Sequence, residues 1–240
     1  MALLADILEH LDRLLEPALF DDYCPNGLQV AGRSTITTVV TGVSAHVELI
    51  ELALARRADL VLTHHGILWD GDDRRVIGRL RRRLQLLLAA DVALAAYHLP
   101  LDAHPDCGNN ALIAAGLGCV AQRPFGRHRG REIGCRGEFA ADGISADELL
   151  RRVRELTGRR PLAFTAGPDL VRSIGIVSGA GAGHLGEAID AGLDAFMTGE
   201  PAERVMAEAR ESAIHFIAAG HHATETFGVS ALGDRLADRS

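Results

Sequence analysis

The chain has 240 residues, enough for one large domain or two small ones, and its 48% hydrophobic and 24% charged content is typical of a globular protein. The formal net charge of −7 argues against a protein whose main task is to coat nucleic acid, so we expect no nucleic-acid partner. The sequence contains no Lys, which excludes a Schiff-base lysine and the lysine of a P-loop.

The first predicted element is a helix over residues 2–16, because Leu and Ile recur with helical spacing up to Pro17. A turn-rich segment at 21–27 and a short strand at 28–31 follow. From residue 36 onward, apolar strands alternate with helices. This first series comprises strand 37–43, helix 46–57, strand 60–63, helix 76–90, strand 92–97 and helix 109–115.

The stretch 121–130 is polar and rich in Arg and contains Pro124, so it is interpreted as a linker or crossover. A second series starts with a strand at Glu132. It continues with helix 146–157, strand 173–178, helix 185–191, strand 195–198, helix 202–210, strand 214–218 and a last helix from about 223 to 236. Strands that alternate with helices in this way predict an α/β fold.

Targeting and redox signals are weak in this sequence. Charged residues interrupt every apolar run well before the ~18 residues that a membrane span needs. The N-terminal segment carries acidic residues where a secretory signal would be basic. The four Cys residues form no C-x-x-C pair, which favours free thiols in a reducing compartment. We therefore expect a cytoplasmic protein without membrane contact.

Ligands of open α/β sheets bind beyond the C-terminal ends of the strands, and several predicted strand ends here carry imidazoles and carboxylates. These residues are His64 and His65, His98 with Asp102 and His104, Glu200, and His221 with His222 and Glu225. His221 and Glu225 are four residues apart at the start of a helix, so they lie on one face and can reach one ion. A single His at such a position is more often structural, but the combination favours a metal site. Imidazoles and carboxylates suit Zn, Fe, Mn or Co.

Five segments of the sequence resemble, in order and spacing, the Nif-three-like family, whose bacterial members are also labelled GTP cyclohydrolase I type 2 homologues. They are DYCPNGLQVAG at 22–32, THHG at 63–66, LDAHPDCGNNALIAAGLG at 101–118, TGE at 198–200 and GHHATETFG at 220–228. The resemblance covers essentially the whole chain, in the short form of the family that lacks the long central insertion of larger relatives.

The resemblance implies two interlinked α/β domains with a dinuclear divalent-metal site in the cleft between them. We expect the domains to span 1–125 and 126–240, with the C-terminal part of the second contributing to the shared metal site. The resemblance also implies a toroidal homohexamer built as a trimer of dimers. It places the ligands of two divalent ions on His64, His65, Asp102, His221 and Glu225, all of which are present.

Two positions depart from the family pattern without removing a ligand. His222 stands where an aromatic residue such as Tyr is common, and Gly66 stands where Pro is common. His98 would support the site or serve as an extra ligand, and it ranks below the five.

These residues predict a metal-dependent hydrolase that acts on a small molecule, which is a nucleotide, a cyclic amide or a phosphoester. Two divalent ions would activate water, and Glu200 is a candidate general base because it follows a strand directly. The alternative is a ring-shaped metal-binding protein that regulates or scaffolds other proteins without turnover.

Other motifs have simpler interpretations. Residues 181–186 match the G-x-G-x-x-G pattern of dinucleotide-binding proteins, but Gly179 makes the whole stretch rich in glycine. We favour a tight turn there over NAD or FAD binding, with His184 at a helix cap or lining the cleft. The Arg-rich runs 79–83 and 127–131 are interpreted as solvated faces or oligomer contacts, and Trp69 is expected to pack rather than stack on a base.

Overall fold

Strands and helices alternate along the chain in the computed structural model, which describes residues 1–238, so the α/β fold class is confirmed. The chain divides into two units. Unit 1 comprises Met1–Leu101 together with the segment from Gly228 onward, and unit 2 comprises Asp102–Phe227. The expected domains 1–125 and 126–240 stay a prediction.

Unit 1 begins with the short strand β1 and an amphipathic helix, and then builds a small sheet with its helices. Its elements are β1 Ala2–Leu3, α1 Leu4–Leu15, β2 Gly27–Val30, β3 Thr35–Ile36, β4 Val39–Ser44, α2 Val47–Ala55, β5 Leu60–His65, α3 Gly78–Ala90 and β6 Ala93–Ala96. The helix α4 Leu99–Ala103 follows, and its last two residues belong to unit 2.

The sheet of unit 1 has four strands in the order β2-β6-β5-β4. Strands β4, β5 and β6 run parallel, and β2 is antiparallel to β6. Strand β5 is buried along nearly its whole length, as expected of an inner strand of a parallel sheet, and its sequence is correspondingly apolar until the final histidines. The parallel pairing of β5 with β6 places the C-terminal ends of both strands at one edge.

Unit 2 starts with a helix and a hairpin and then repeats strand and helix. Its elements are α5 Asn109–Leu117, β7 Ala121–His128, β8 Arg131–Glu138, β9 Ile144–Ser145, α6 Ala146–Thr157, β10 Leu162–Thr165, β11 Leu170–Val171, β12 Ser173–Val177, α7 Leu185–Asp190, β13 Ala195–Thr198, α8 Val205–Glu211, β14 His215–Ala218 and α9 His221–Thr224. The last helix, α10 Thr226–Ala237, leads into the C-terminal segment of unit 1.

The sheet of unit 2 has six strands in the order β10-β14-β13-β12-β8-β7. Strands β12, β13 and β14 are parallel, and the outer strands are antiparallel to their neighbours. A core of Ile, Val, Leu, Ala and Met side chains packs against this sheet from helices α5 and α6. The three parallel strands end at one edge, where Ser178 and Glu200 lie in the following loops and His221 begins helix α9.

The interpretation of 121–130 as a linker is wrong, because Ala121–His128 forms strand β7. This strand lies at the edge of the sheet and pairs with β8. An edge strand keeps one side in solvent, so it tolerates Pro124 and several Arg residues that an inner strand would exclude. The polar composition therefore masked the strand. The sequence analysis also missed the other edge strand, β10, which has the mainly apolar sequence Leu-Ala-Phe-Thr.

Across residues 1–238, the length and apolar character needed to span a bilayer are not combined in any helix.

Candidate functional site

The first group of candidate ligands lies in unit 1 and consists of His64, His65 and His98, which we call the histidine cluster. His64 and His65 are the last residues of β5, and His98 follows β6 by two residues. Thr63 of β5 pairs with Ala96 of β6, so both chain segments leave the sheet side by side. One ring nitrogen of each histidine lies within 4.8 Å of one from each of the others. The structure thus brings His98 to the predicted histidine pair.

An oxygen atom contacts the Nδ1 atom of each ring in the histidine cluster. The three pairs are His64 with the Tyr97 carbonyl at 3.0 Å, His65 with Ser44 Oγ at 3.0 Å and His98 with Asp22 Oδ1 at 2.7 Å. A carbonyl oxygen only accepts hydrogen bonds, so His64 Nδ1 carries the proton and its Nε2 has the lone pair. Such bonds orient imidazoles that bind metal ions in proteins and fix their tautomer.

Trp69 packs against the same cluster. Its ring meets His98 edge to face, with centroids 5.2 Å apart and an interplanar angle of 82°. A similar contact joins it to His65 at 5.6 Å. The packing predicted for Trp69 is therefore present, and the ring shields the imidazoles from water on one side.

The second group of candidate ligands lies in unit 2, and Asp102 is its first member. Asp102 is buried in helix α4, where its Oδ1 accepts hydrogen bonds from Asn109 Nδ2 at 2.8 Å and Ser178 Oγ at 2.9 Å. Asn110 fastens the same region through the carbonyls of Asp102 and Ile133. Two donors on Oδ1 fix the orientation of the carboxylate.

His221 and Glu225 lie one helical turn apart around α9, as their spacing predicts. His221 Nε2 is 3.1 Å from Glu225 Oε1, and His221 Nδ1 is 2.8 Å from Glu200 Oε1. The hydrogen bond to Glu225 is the main cause that raises the pKa of His221 to about 9, with a further contribution from Glu200 and against the effect of burial. Without a metal, His221 is therefore protonated at neutral pH and donates to both carboxylates. A metal on this side chain would replace that proton.

Gly179 makes room for these two side chains. It follows β12 with φ of +62°, and an added Cβ would collide with Glu225 Oε1 and lie 3.1 Å from His221 Nε2. The Gly179 carbonyl accepts the amides of Gly199 and Glu200 at 2.9 Å each. The Gly179 backbone thus braces the Glu200 loop and leaves space for the imidazole and carboxylate.

The remaining predicted residues play smaller parts in the structure. His222 is exposed, and His184 lies 3.6 Å from Glu187 Oε2 beside helix α7. Residues 181–184 of the glycine-rich motif form a short 3-10 turn, in line with the tight turn that we favoured. His104 Nδ1 accepts the amides of Asp106 and Cys107 at 3.1 Å each, so this ring caps a turn.

The donor chemistry of both groups fits divalent metal ions. Unit 1 offers three oriented imidazoles, and unit 2 offers one imidazole with the buried carboxylates of Asp102 and Glu225. Imidazole with carboxylate is the ligand type of Zn, Fe, Mn and Co sites. A buried carboxylate is stabilised by a cation or by hydrogen bonds.

Several residues around these groups escaped the prediction from sequence. Asp22, Asn109, Ser178 and Gly179 contact or make room for the candidate ligands, yet each lies far from its partner or is of a type common in turns. The dense turn formers at 21–27 and the Asn109-Asn110 pair were the available signals. Neither signal shows which candidate ligand the residue would contact.

Known proteins resemble this chain over nearly its full length. The family model described as Duf34/NIF3 (NGG1p interacting factor 3) matches residues 2–240. A protein of Pseudomonas aeruginosa named GTP cyclohydrolase 1 type 2 homolog is 46% identical over 236 residues, which cover 98% of this chain and 93% of that protein. A protein of the same name from Vibrio cholerae is 41% identical and covers 95% of this chain and 90% of that protein.

Two solved structures share the fold closely. One is described as protein ybgI of unknown function, with a TM-score of 0.93, 38% identity and coverage of 99% of this chain and 94% of that chain. The other is TTHA1606 from Thermus thermophilus, with a TM-score of 0.87, 36% identity and coverage of 98% and 93%. The family match and these relatives agree with the motifs of the sequence, and the chain belongs to the Duf34/NIF3 family.

Proposed function

We propose that the chain binds two divalent metal ions through His64, His65, Asp102, His221 and Glu225 and uses them to hydrolyse a small molecule. The observation that carries the proposal is that hydrogen bonds from neighbouring residues orient several of these side chains. In unit 1 the carbonyl of Tyr97 fixes the ring of His64, and in unit 2 Ser178 and Asn109 fix Asp102. Ligands held in this way lose little conformational entropy when they bind an ion.

Each of these residues would have a distinct role in the proposed hydrolysis. Divalent ions act as Lewis acids and lower the pKa of a coordinated water. His64 and His65 would offer neutral nitrogens to metal, and Asp102 and Glu225 would offer carboxylates that balance metal charge. Trp69 would keep bulk water from the histidine cluster.

Glu200 is the candidate general base of the proposed reaction. Its Oε1 lies 2.8 Å from His221 Nδ1, and about half of the side chain is exposed to solvent. The contact allows Glu200 to orient the imidazole of His221. The exposure of the Glu200 side chain allows it to exchange a proton with solvent. The role of Glu200 as general base is part of this proposal.

The substrate class follows from the names of relatives and from the chemistry of the donors. Relatives named GTP cyclohydrolase 1 type 2 homolog favour a nucleotide, and cyclic amides and phosphoesters suit two-metal hydrolysis equally well.

The test measures the metal content of the protein and its hydrolysis of candidate substrates. Full-length protein would be loaded with Zn²⁺, Mn²⁺, Co²⁺ or Fe²⁺ and assayed on GTP, other nucleotides, cyclic amides and phosphodiesters. We expect about two ions per chain and hydrolysis of one substrate class, both lost in His64→Ala, Asp102→Asn and Glu225→Gln. His46→Ala is the matched control, because the His46 side chain caps helix α2 by accepting the amide of Leu49.

The outcomes separate the two functional hypotheses. A wild-type chain that binds no metal overturns the proposal. Metal binding without turnover on any substrate overturns the hydrolase and supports the ring-shaped regulatory or scaffold protein.

We also propose the homohexamer, a trimer of dimers, as the assembly of this chain.

A further inference from the structure

The loop before strand β2 holds His98 at two points, although the residues are far apart in sequence. Asp22 Oδ1 is 2.7 Å from His98 Nδ1, and Asp22 Oδ2 accepts the amide of Leu99 at 3.0 Å. Asn26 donates to Asp22 Oδ2 at 2.8 Å and accepts the amide of His98 at 2.7 Å through Oδ1. Both the backbone and the ring of His98 are therefore fixed by this loop.

The Asp22–His98 pair is nearly closed to solvent. The side chain of Asp22 is 3% exposed and that of His98 is 12% exposed. The backbone amides of Tyr23 and Leu99 and the side-chain amide of Asn26 donate to the two oxygens of Asp22, so Asp22 is an acceptor toward His98. In the neutral imidazole, which is the form that binds a metal, a proton on Nδ1 leaves the lone pair on Nε2.

A competing ligand group also contains His98. Asp22, Cys24 and His98 offer atoms within 4.8 Å of one another. Burial, together with the charges of Asp22 and Asp70, raises the pKa of the Cys24 thiol to about 12, which opposes formation of the thiolate that a metal needs. Both oxygens of Asp22 already accept hydrogen bonds. This side of His98 is hence a hydrogen-bonding anchor.

The other side of His98 belongs to the histidine cluster. Its ring centroid lies 5.0 Å from that of His64 and 5.5 Å from that of His65. We propose that His98 is a third imidazole ligand beside His64 and His65, and that Asp22 is the positioning residue that directs its Nε2. The inference rests on the proposed metal binding and extends its five ligands by one. A carboxylate on Nδ1 also increases the basicity of the coordinating nitrogen.

The experiment is a Co²⁺ titration of the full chain, followed by absorption and by competition with a chelator. Asp22→Asn turns one acceptor of Asp22 into a donor, and His98→Ala removes the imidazole but keeps the bonds of Asp22 to Asn26 and Leu99. We expect Co²⁺ affinity to fall ~10–100-fold in both variants, because loss of a partner that orients a ligand has this effect. The visible spectrum should change, and X-ray absorption should count one imidazole fewer in His98→Ala. Asp22→Glu should recover part of the affinity.

Asp59→Asn is the matched control, because Asp59 is also a buried carboxylate of unit 1 that accepts two backbone amides. It should lower stability without a change in Co²⁺ affinity or spectrum. If His98→Ala and Asp22→Asn both bind Co²⁺ as the wild type does, the inference is overturned. The Co²⁺ measurements need no substrate. A lack of turnover in the wild type therefore counts against the proposed hydrolase activity and leaves the inference about His98 and Asp22 standing.

Discussion

At the scale of single residues, the candidate ligands are defined by the atoms that hold them. Asp102 is fixed through Oδ1 by Ser178 and Asn109, and His64 through Nδ1 by a carbonyl. Each bond restricts the rotamer or the tautomer of its side chain. Substitutions of these hydrogen-bond partners should therefore weaken metal binding, although no ligand residue is itself changed.

Ser178→Ala removes one donor from Asp102 Oδ1 and should weaken Co²⁺ binding about 10-fold. The matched control is Ser173→Ala, at the opposite end of the same strand, where the hydroxyl donates to Asp194 Oδ2 at 3.2 Å. This control should cost about 1 kcal/mol of stability without a change in binding. Equal Co²⁺ affinities of the two variants, measured by chelator competition, would contradict the role of Ser178.

Gly179→Ala should disturb Glu225 and His221 directly. The residue has φ of +62°, where a side chain costs about 1–2 kcal/mol, and the new Cβ would collide with Glu225 Oε1. We expect Co²⁺ affinity to fall more than ~10-fold. Gly192→Ala has nearly the same φ of +65°, and no atom of the described residues lies within 4 Å of its new Cβ, so it should show the backbone cost alone in thermal unfolding. A Gly179→Ala chain with wild-type affinity would refute this account of the glycine.

At the scale of elements, parallel strands gather side chains that the sequence keeps apart. The ends of β5 and β6 bring His64 and His65 to His98, and the ends of β12, β13 and β14 present Ser178, Glu200 and His221. At the other end of the unit 1 sheet, Asp59 fastens the start of β5. It accepts the amides of Thr37 and Thr38 and pairs with Arg33 at 3.0 Å.

Asp59 should make the stability of the chain depend on pH. Burial would raise its pKa, but the bonds from Thr37, Thr38 and Arg33 outweigh burial and hold the pKa below the ordinary value of 3.8. A lowered carboxyl pKa stabilises the fold fully above the unfolded value, and this contribution is lost as the pH falls through the folded value. Asp59→Asn should therefore cost about 1–3 kcal/mol at pH 7 and less at pH 3.

Urea unfolding at both pH values measures this effect. Asp73→Asn, in an exposed pair with Arg75, is the control and should leave the midpoint unchanged. A loss of stability in Asp59→Asn that is the same at both pH values would be evidence against the ionised carboxylate as its source.

At the scale of the whole molecule, unit 1 takes residues from both ends of the chain and unit 2 takes the middle. Several apolar side chains of unit 1 remain exposed, namely Leu52, Val76, Ile77 and Leu88. A contiguous patch of such side chains favours contact with another protein surface. The proposed assembly of several copies predicts that some of these four side chains lie in a contact between copies.

Light scattering after size exclusion should give six times the chain mass of 25.6 kDa. Leu88→Glu places a charge on a side chain that is 62% exposed in the single chain, so it should lower the assembled mass only if this side chain lies in a contact between copies. Leu162→Glu, at a 48% exposed position of unit 2, is a control for the general effect of an added charge. A wild-type mass of one chain would contradict the hexamer.

Periodicity and local spacing were enough to predict much of this protein. The alternation of apolar strands and helices determined the α/β class, and the bounds of α6 and β13 match the prediction. The spacing of His221 and Glu225 placed them on one helical turn. The order of the motifs indicated the family. The alternation, the element bounds and the spacing depend on residues close in sequence, where the geometry of a helix or strand is fixed.

Only the tertiary structure decided which strands lie at an edge and which distant residues meet. Strand β7 was hidden because its exposed side carries Arg and Pro124. His98 became part of the histidine cluster because β6 pairs with β5. Asp22 reaches His98 across 76 residues, and Ser178 reaches Asp102 across 76 residues. Such contacts depend on strand order and packing, which local sequence patterns do not encode.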